Sequence, residues 1–182
     1  MSDNNVLETW LAEEREIAAR MATGPGAGIA RPDQIAGKSG LEFMQAWLAG
    51  ELPSPVIGKT MDFTLIEASE GRAVFQGRPG PAHLNPMGGI HGGWYATLLD
   101  SALGCAVHTL MPPGRGYTTA ELGINLVRAI NPAKAPRVRA IGTVVHCGRQ
   151  LATAEARLVG PDGTLYAHGT TTCLVFELAR KG

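Results

Sequence analysis

The chain has 182 residues, 45% hydrophobic and 18% charged, with 16 Lys and Arg balancing 16 Asp and Glu. That length suits one domain with an added terminal segment, and a core of that size needs no disulfide or metal. A net charge of zero offers no basic footprint for nucleic acid and little self-repulsion against oligomerisation. Cys105, Cys147 and Cys173 form an odd set without C-x-x-C spacing, which reads as reduced thiols of a cytoplasmic protein. The N-terminus lacks a basic region followed by an apolar run, so no secretory signal is expected. The most apolar stretch, residues 94–110, contains Asp100 and His108 and is short for a membrane span.

Residues 4–22 place Val6, Leu7, Trp10, Ile17 and Met21 on one side of a helical wheel, with Glu14 among them. Glu8, Glu13, Arg15, Glu16 and Arg20 take the other side. The pattern predicts a surface helix that packs on the domain or on a partner subunit, and its acidic polar face argues against membrane contact. Residues 23–38 are glycine-rich and read as a linker or ordered arm. A short helix is predicted at 40–49, anchored by Leu41, Phe43, Met44, Trp47 and Leu48, and Glu51-Leu-Pro-Ser-Pro55 ends it.

Alternation then begins. Residues 61–68 and 72–78 flank Glu70-Gly71 and predict a hairpin. The glycine-rich stretch Asn85-Pro-Met-Gly-Gly-Ile-His91-Gly92-Gly93 leads into a long apolar helix. Four strands follow, at 117–128, 137–147, 151–159 and 164–176, the last two joined by Gly160-Pro-Asp-Gly163. A helix apolar on nearly all faces must be buried on nearly all faces. One helix among six antiparallel strands achieves that if the sheet curls around it. The expected class is α+β, with residues 1–50 a helical extension and 51–182 the domain.

Asp100 interrupts the apolar helix. A carboxylate there is costly unless hydrogen-bonded. It reads either as an acceptor for a neighbouring strand or as a general base or nucleophile with a raised pKa. Gly92 and Gly93 fall at the start of the helix, where free N–H groups and the positive dipole end could hold a carbonyl oxygen, or where glycine merely permits a tight entry. Gly92 and Asp100 are eight residues apart, roughly 12 Å along a helix. Both can serve one reacting group if two such helices run antiparallel across a twofold axis, Gly92 of one subunit facing Asp100 of the other. His83, His108, His146 and His168 show no metal-ligand spacing, and no Gly-x-Ser-x-Gly elbow is present. No metal is predicted.

The pattern Asn85-x-x-Gly88-x-x-His91-Gly92-Gly93, followed by Ala96-Thr97-Leu98 and Asp100, closely resembles the hot-dog-fold acyl-CoA thioesterases of the phenylacetate-degradation (PaaI-like) type. The resemblance spans residues 52–176 and includes Tyr117-Thr-Thr-Ala-Glu121, His146-x-Gly148-Arg149 and the closing hairpin. It implies a curved sheet around a central helix, a homodimer made by joining two sheets, and a homotetramer as a dimer of dimers. It implies that Asp100 is the catalytic carboxylate, as general base on water or as nucleophile, and that the Gly92 N–H polarises the thioester carbonyl. Asn85 matches a position whose amide helps hold the thioester or the water. His91 matches an orienting histidine. Thr119 falls where relatives place a Ser or Thr beside the carboxylate, and Gly93 belongs to the same glycine pair as Gly92. Gly148 and Arg149 lie where relatives contact coenzyme A, and Arg149 suits a phosphate chemically. No cofactor is implied, because coenzyme A is part of the substrate. Strand period two also puts Glu121 on the face of Thr119.

Two other functions remain open on sequence alone. An enoyl-CoA hydratase or dehydratase would use the same fold but needs a His paired with an acid. A non-catalytic acyl-CoA sensor would carry a DNA-binding appendage, and the acidic N-terminal helix offers no basic helix-turn-helix.

Overall fold

The computed structural model describes residues 3–178; residues 1–2, where the N-terminus was read for a signal, and 179–182 lie outside the described part. The element order is α1 (Asp3–Ala22), α2 (Pro32–Ile35), α3 (Gly40–Leu48), α4 (Val56–Met61), β1 (Phe63–Ser69), β2 (Arg72–Gly77), α5 (Gly92–His108), β3 (Arg115–Leu126), β4 (Val138–Cys147), β5 (Leu151–Val159) and β6 (Leu165–Glu177). The six strands form one antiparallel sheet in the order β1-β2-β4-β5-β6-β3. Helix α5 contacts every one of them, as a sheet curled around a helix requires. Leu98, Leu99, Ala102, Leu103, Ala106 and Val107 of that helix are fully buried. Gly142 of β4 permits the closest approach, since a Cβ there would stand 2.2 Å from the Ala102 carbonyl oxygen.

The curled sheet leaves a slot between its two edges, β1 and β3. Helix α3 fills part of it. Its Gly40 N–H donates to the Met111 carbonyl at 2.8 Å, and a Cβ at Gly40 would collide with the His108 carbonyl oxygen at 1.7 Å. Ser39 and Glu42 form a capping box at its start. Met44, Ala46 and Trp47 then join the same core cluster as α5, and the Trp47 and Phe75 rings lie 5.9 Å apart. Helix α4, absent from the sequence reading, continues the cover. Its end is fixed by the Trp94 indole N–H, which donates to the Met61 carbonyl at 2.7 Å. Met61, expected to open the first strand, is therefore helical, and Asp62 makes the turn at φ 54°.

Helix α1 lies on the other side of the sheet. Phe75 faces inward to Trp47, so its neighbour Gln76 faces outward. Gln76 is buried there: its amide donates to Glu14 at 2.7 Å and accepts from Arg139 at 2.8 Å. Arg137 pairs with Glu14 at 2.5 Å, Arg139 pairs with Glu13, and the Arg139 guanidinium sits 4.4 Å from the Trp10 ring centroid. Ile17 is buried in the same contact. Glu14, the acid within the apolar stripe, is thus the residue that fastens α1 to the sheet.

Candidate active site

His91 is the N-cap of α5, and its Nδ1 accepts the Gly93 N–H at 2.9 Å. Among the described residues the Gly92 N–H has no acceptor. It is one of the orphan donors that every helix start carries. The loop before it is built by Asn85, whose side-chain oxygen accepts the Met87 N–H at 2.9 Å and the Gly89 N–H at 3.1 Å. The Asn85 N–H closes the turn on the Gly89 carbonyl at 2.7 Å, and Gly88 takes φ +81°. Asn85, His91, Gly92 and Gly93 therefore stand together around one helix terminus.

Asp100 stands two turns along the same helix. It is half-buried, and its Oδ1 accepts the Thr119 hydroxyl at 3.1 Å. Thr119 is exposed on β3, so the pair opens to the surface. One rung further, a Cβ at Gly104 would meet the Tyr117 hydroxyl at 2.8 Å. Positions 100 and 104 share a helix face, and 117 and 119 share a strand face, so β3 crosses α5 in two paired steps. Burial and the charges around it hold the Tyr117 phenol well above its ordinary pKa. Burial, and then the Asp100 charge, push the Cys105 thiol up to about 12. Both groups are neutral at physiological pH.

Asp100, Ser101, Gly104, Cys105, Tyr117 and Thr119 form one wall of a cavity of about 260 Å³. Trp47, Phe63 and Phe75 line an aromatic second wall, and Ser54, Ile57 and Lys59 close the side towards α4. Gly148 and Arg149 sit apart from it in the β4–β5 turn, where the Gly148 N–H bonds the Leu151 carbonyl at 2.8 Å and the Arg149 carbonyl accepts from Arg115. Glu121 does not share the face of Thr119. A bulge leaves Ala120 unpaired, so Thr119 pairs with Cys173 and Glu121 with the adjacent Thr172, on opposite faces. Among the described residues no three His, Cys, Asp or Glu side chains gather as a metal site would require, and no helix is long and apolar enough to cross a membrane.

Residues 87–167 match the family profile described as the thioesterase superfamily. This segment belongs to the thioesterase superfamily. The thioesterase-superfamily segment contains His91, Gly92, Gly93, Asp100, Thr119, Gly148 and Arg149, while Asn85 stands just before it and α1 to α4 precede it entirely. A variant of the phenylacetic acid degradation protein PaaI of Thermus thermophilus is 27% identical, with 65% of this chain and 97% of that chain covered at a TM-score of 0.59. A Bacillus halodurans protein solved with CoA is 33% identical over 57% of this chain and 66% of that chain, with a TM-score of 0.53. A Halobacterium salinarum protein named as an esterase is 35% identical over 83 residues, 46% of this chain. The match spans about half, 54%, of that curated relative's length. The hot-dog fold of the superfamily is the curled sheet and helix described above.

The aromatic wall and the α4 side of the cavity carry little sequence signal. In the sequence Trp47 is one more helix anchor. Tyr117 was within reach of inference, lying two residues before Thr119 and opposite a glycine one turn past Asp100.

Proposed function

We propose that the protein hydrolyses acyl-CoA thioesters to a free acid and coenzyme A, with Asp100 as the base. The observation that carries this reading is the Asp100 carboxylate, held by the Thr119 hydroxyl on the wall of a largely apolar cavity. The Thr119 bond occupies Oδ1 and leaves Oδ2 to take a proton. The similarity to PaaI and to a protein solved with CoA supports an acyl-CoA substrate.

The chemistry follows from the start of α5 and from Asp100 two turns along it. The thioester carbonyl accepts the Gly92 N–H, and the α5 dipole adds positive potential there. Asp100 of the neighbouring subunit removes a proton from water as its oxygen adds to the carbonyl carbon. The oxyanion stays on the Gly92 N–H, a donor of a kind commonly worth about 3–4 kcal/mol. The C–S bond then breaks and the coenzyme A thiolate leaves. Asn85 keeps its amide NH₂ free to hold the thioester or the water, and His91 orients the loop through Gly93. Gly148 and Arg149 take the nucleotide end of coenzyme A.

A dimer supplies the second helix. Strand β3 is a sheet edge, and edges of this length are templates for pairing. Leu122 and Leu126 on β3 and Met87 before α5, the last 95% exposed, give that edge apolar surface. Joined β3 edges set the two α5 helices across a twofold axis, and two such dimers make the tetramer. The proposed compartment is the cytoplasm, with neither nucleic acid nor membrane as a partner. A hydratase would need His91 beside an acid. His91 instead caps the helix start, with its Nδ1 bonded to Gly93.

Release of free thiol across an acyl-CoA panel tests the reading. The wild type is expected to turn over at least one member, and Asp100→Asn to lower kcat by about 10²–10⁴-fold while the dimer persists. Unchanged turnover by the variant would refute the assignment.

A further inference from the structure

The cavity beside Asp100 has two walls of different origin. Asp100, Gly104, Tyr117 and Thr119 belong to the thioesterase-superfamily segment; Trp47 and Ile57 come from α3 and α4, which precede it. The cavity lies in the slot between the β1 and β3 edges, and without these helices that slot would stand open. Its volume, about 260 Å³, falls below the roughly 300–1,000 Å³ of ordinary small-molecule pockets. Such a space admits a small group and stops a long chain.

Trp47 is held too firmly to act as a swinging door. It is 5% exposed and packs on Phe75 at 5.9 Å. The start of its helix is pinned to the end of α5 through Gly40 and Met111 at 2.8 Å, and Phe43 presents its edge to His108 at 5.4 Å. Ile57 sits differently, at 46% exposure on the short helix α4. One wall residue is rigid and deep, the other shallow.

We propose that Trp47 is the back wall of the acyl pocket and restricts the substrate to short acyl groups, with Ile57 lining its shallow side. The inference rests on the thioesterase reading of the same cavity. Residues that limit the acyl group in this way are specificity determinants; neither touches the reacting carbonyl. Within the pocket each further methylene raises kcat/KM by about fourfold, and beyond the wall the trend reverses.

The test is kcat/KM over straight-chain acyl-CoA esters from two to twelve carbons, for the wild type, Trp47→Leu and Ile57→Trp. The wild type should peak at a short chain. Trp47→Leu should move the peak to longer chains and raise the longest esters about tenfold or more relative to the shortest. Ile57→Trp, at an exposed position that tolerates change, should lower the longest accepted esters by a similar factor. If Trp47→Leu does not fold, Ile57→Trp decides alone. A wild-type peak at ten or twelve carbons, or unchanged profiles in the folded variants, would overturn the wall while leaving the thioesterase reading intact. Thiol release from no ester at all would remove the thioesterase reading, and the wall with it.

Discussion

In the proposed mechanism Gly92 would contribute only its backbone N–H, so its role cannot be probed by trimming a side chain. Its place at the first position of α5 offers another route. Proline is well tolerated there because that N–H has no helical partner. A Cβ at Gly92 meets only the tip of Leu126, at 3.1 Å. Gly92→Pro should therefore fold, dimerise and bind, yet lose kcat by about 10²–10³-fold, as removal of an oxyanion donor does. Steady-state kinetics beside a thermal melt would check this, and a fully active proline variant would remove Gly92 from the mechanism. The residue pattern places Gly92 at a helix start, and the family resemblance puts Thr119 near Asp100. What it could not supply was the bulge at Ala120, which turns Glu121 to the other face. A bulge shifts the alternation by one residue, and Thr118, Thr119, Ala120 and Glu121 include no large apolar side chain that would mark the shift.

At the scale of elements, legibility followed the strength of local signals. Helix α5 and the hairpins carried periodicity and turn residues, and they appear within about two residues of where these signals end. Helix α4 carried none: Val-Ile-Gly-Lys-Thr-Met has β-branched residues, a glycine, no side-chain cap and no buried residue, and its anchor is the Trp94 indole on the Met61 carbonyl, a contact no local signal announces. The back of the sheet was equally silent, since nothing local to Gln76, Arg137 and Arg139 marks them as covered by α1. Glu14→Ala should remove the carboxylate that Gln76 and Arg137 share and cost about 1–3 kcal/mol, measured as a fall in the urea midpoint. An unchanged midpoint would mean that Ile17, Trp10 and the Glu13–Arg139 pair hold α1 without Glu14.

The seam of α3 and α5 carries a pH dependence. His108 lies there against Phe43 and Tyr117, its Nδ1 is buried with no partner among the described residues, and burial lowers its pKa. The folded state therefore holds imidazole neutral, while the unfolded chain takes up a proton near pH 6.5. As pH falls below about 6.5 the unfolded state binds the proton first, so this contribution to stability is present above that value and is lost below it. Urea midpoints at pH 7.5 and pH 5.5 should differ more for the wild type than for His108→Leu. Equal differences would show that the imidazole does not contribute.

In the proposed dimer, two residues that one chain keeps apart would meet in one site. Eight residues separate Gly92 from Asp100, roughly 12 Å of helix, and the curled sheet leaves β3 as the open edge through which a second copy can bring its own helix. The central claim is that each site takes Gly92 from one subunit and Asp100 from the other. Co-expression of Gly92→Pro and Asp100→Asn chains with different tags, followed by purification of the mixed dimer, tests it most directly. Each homodimer should be nearly inactive. The mixed dimer contains one site with both native residues and one with neither, so it should release thiol at about half the wild-type rate. A mixed dimer as inactive as either parent would contradict the shared site.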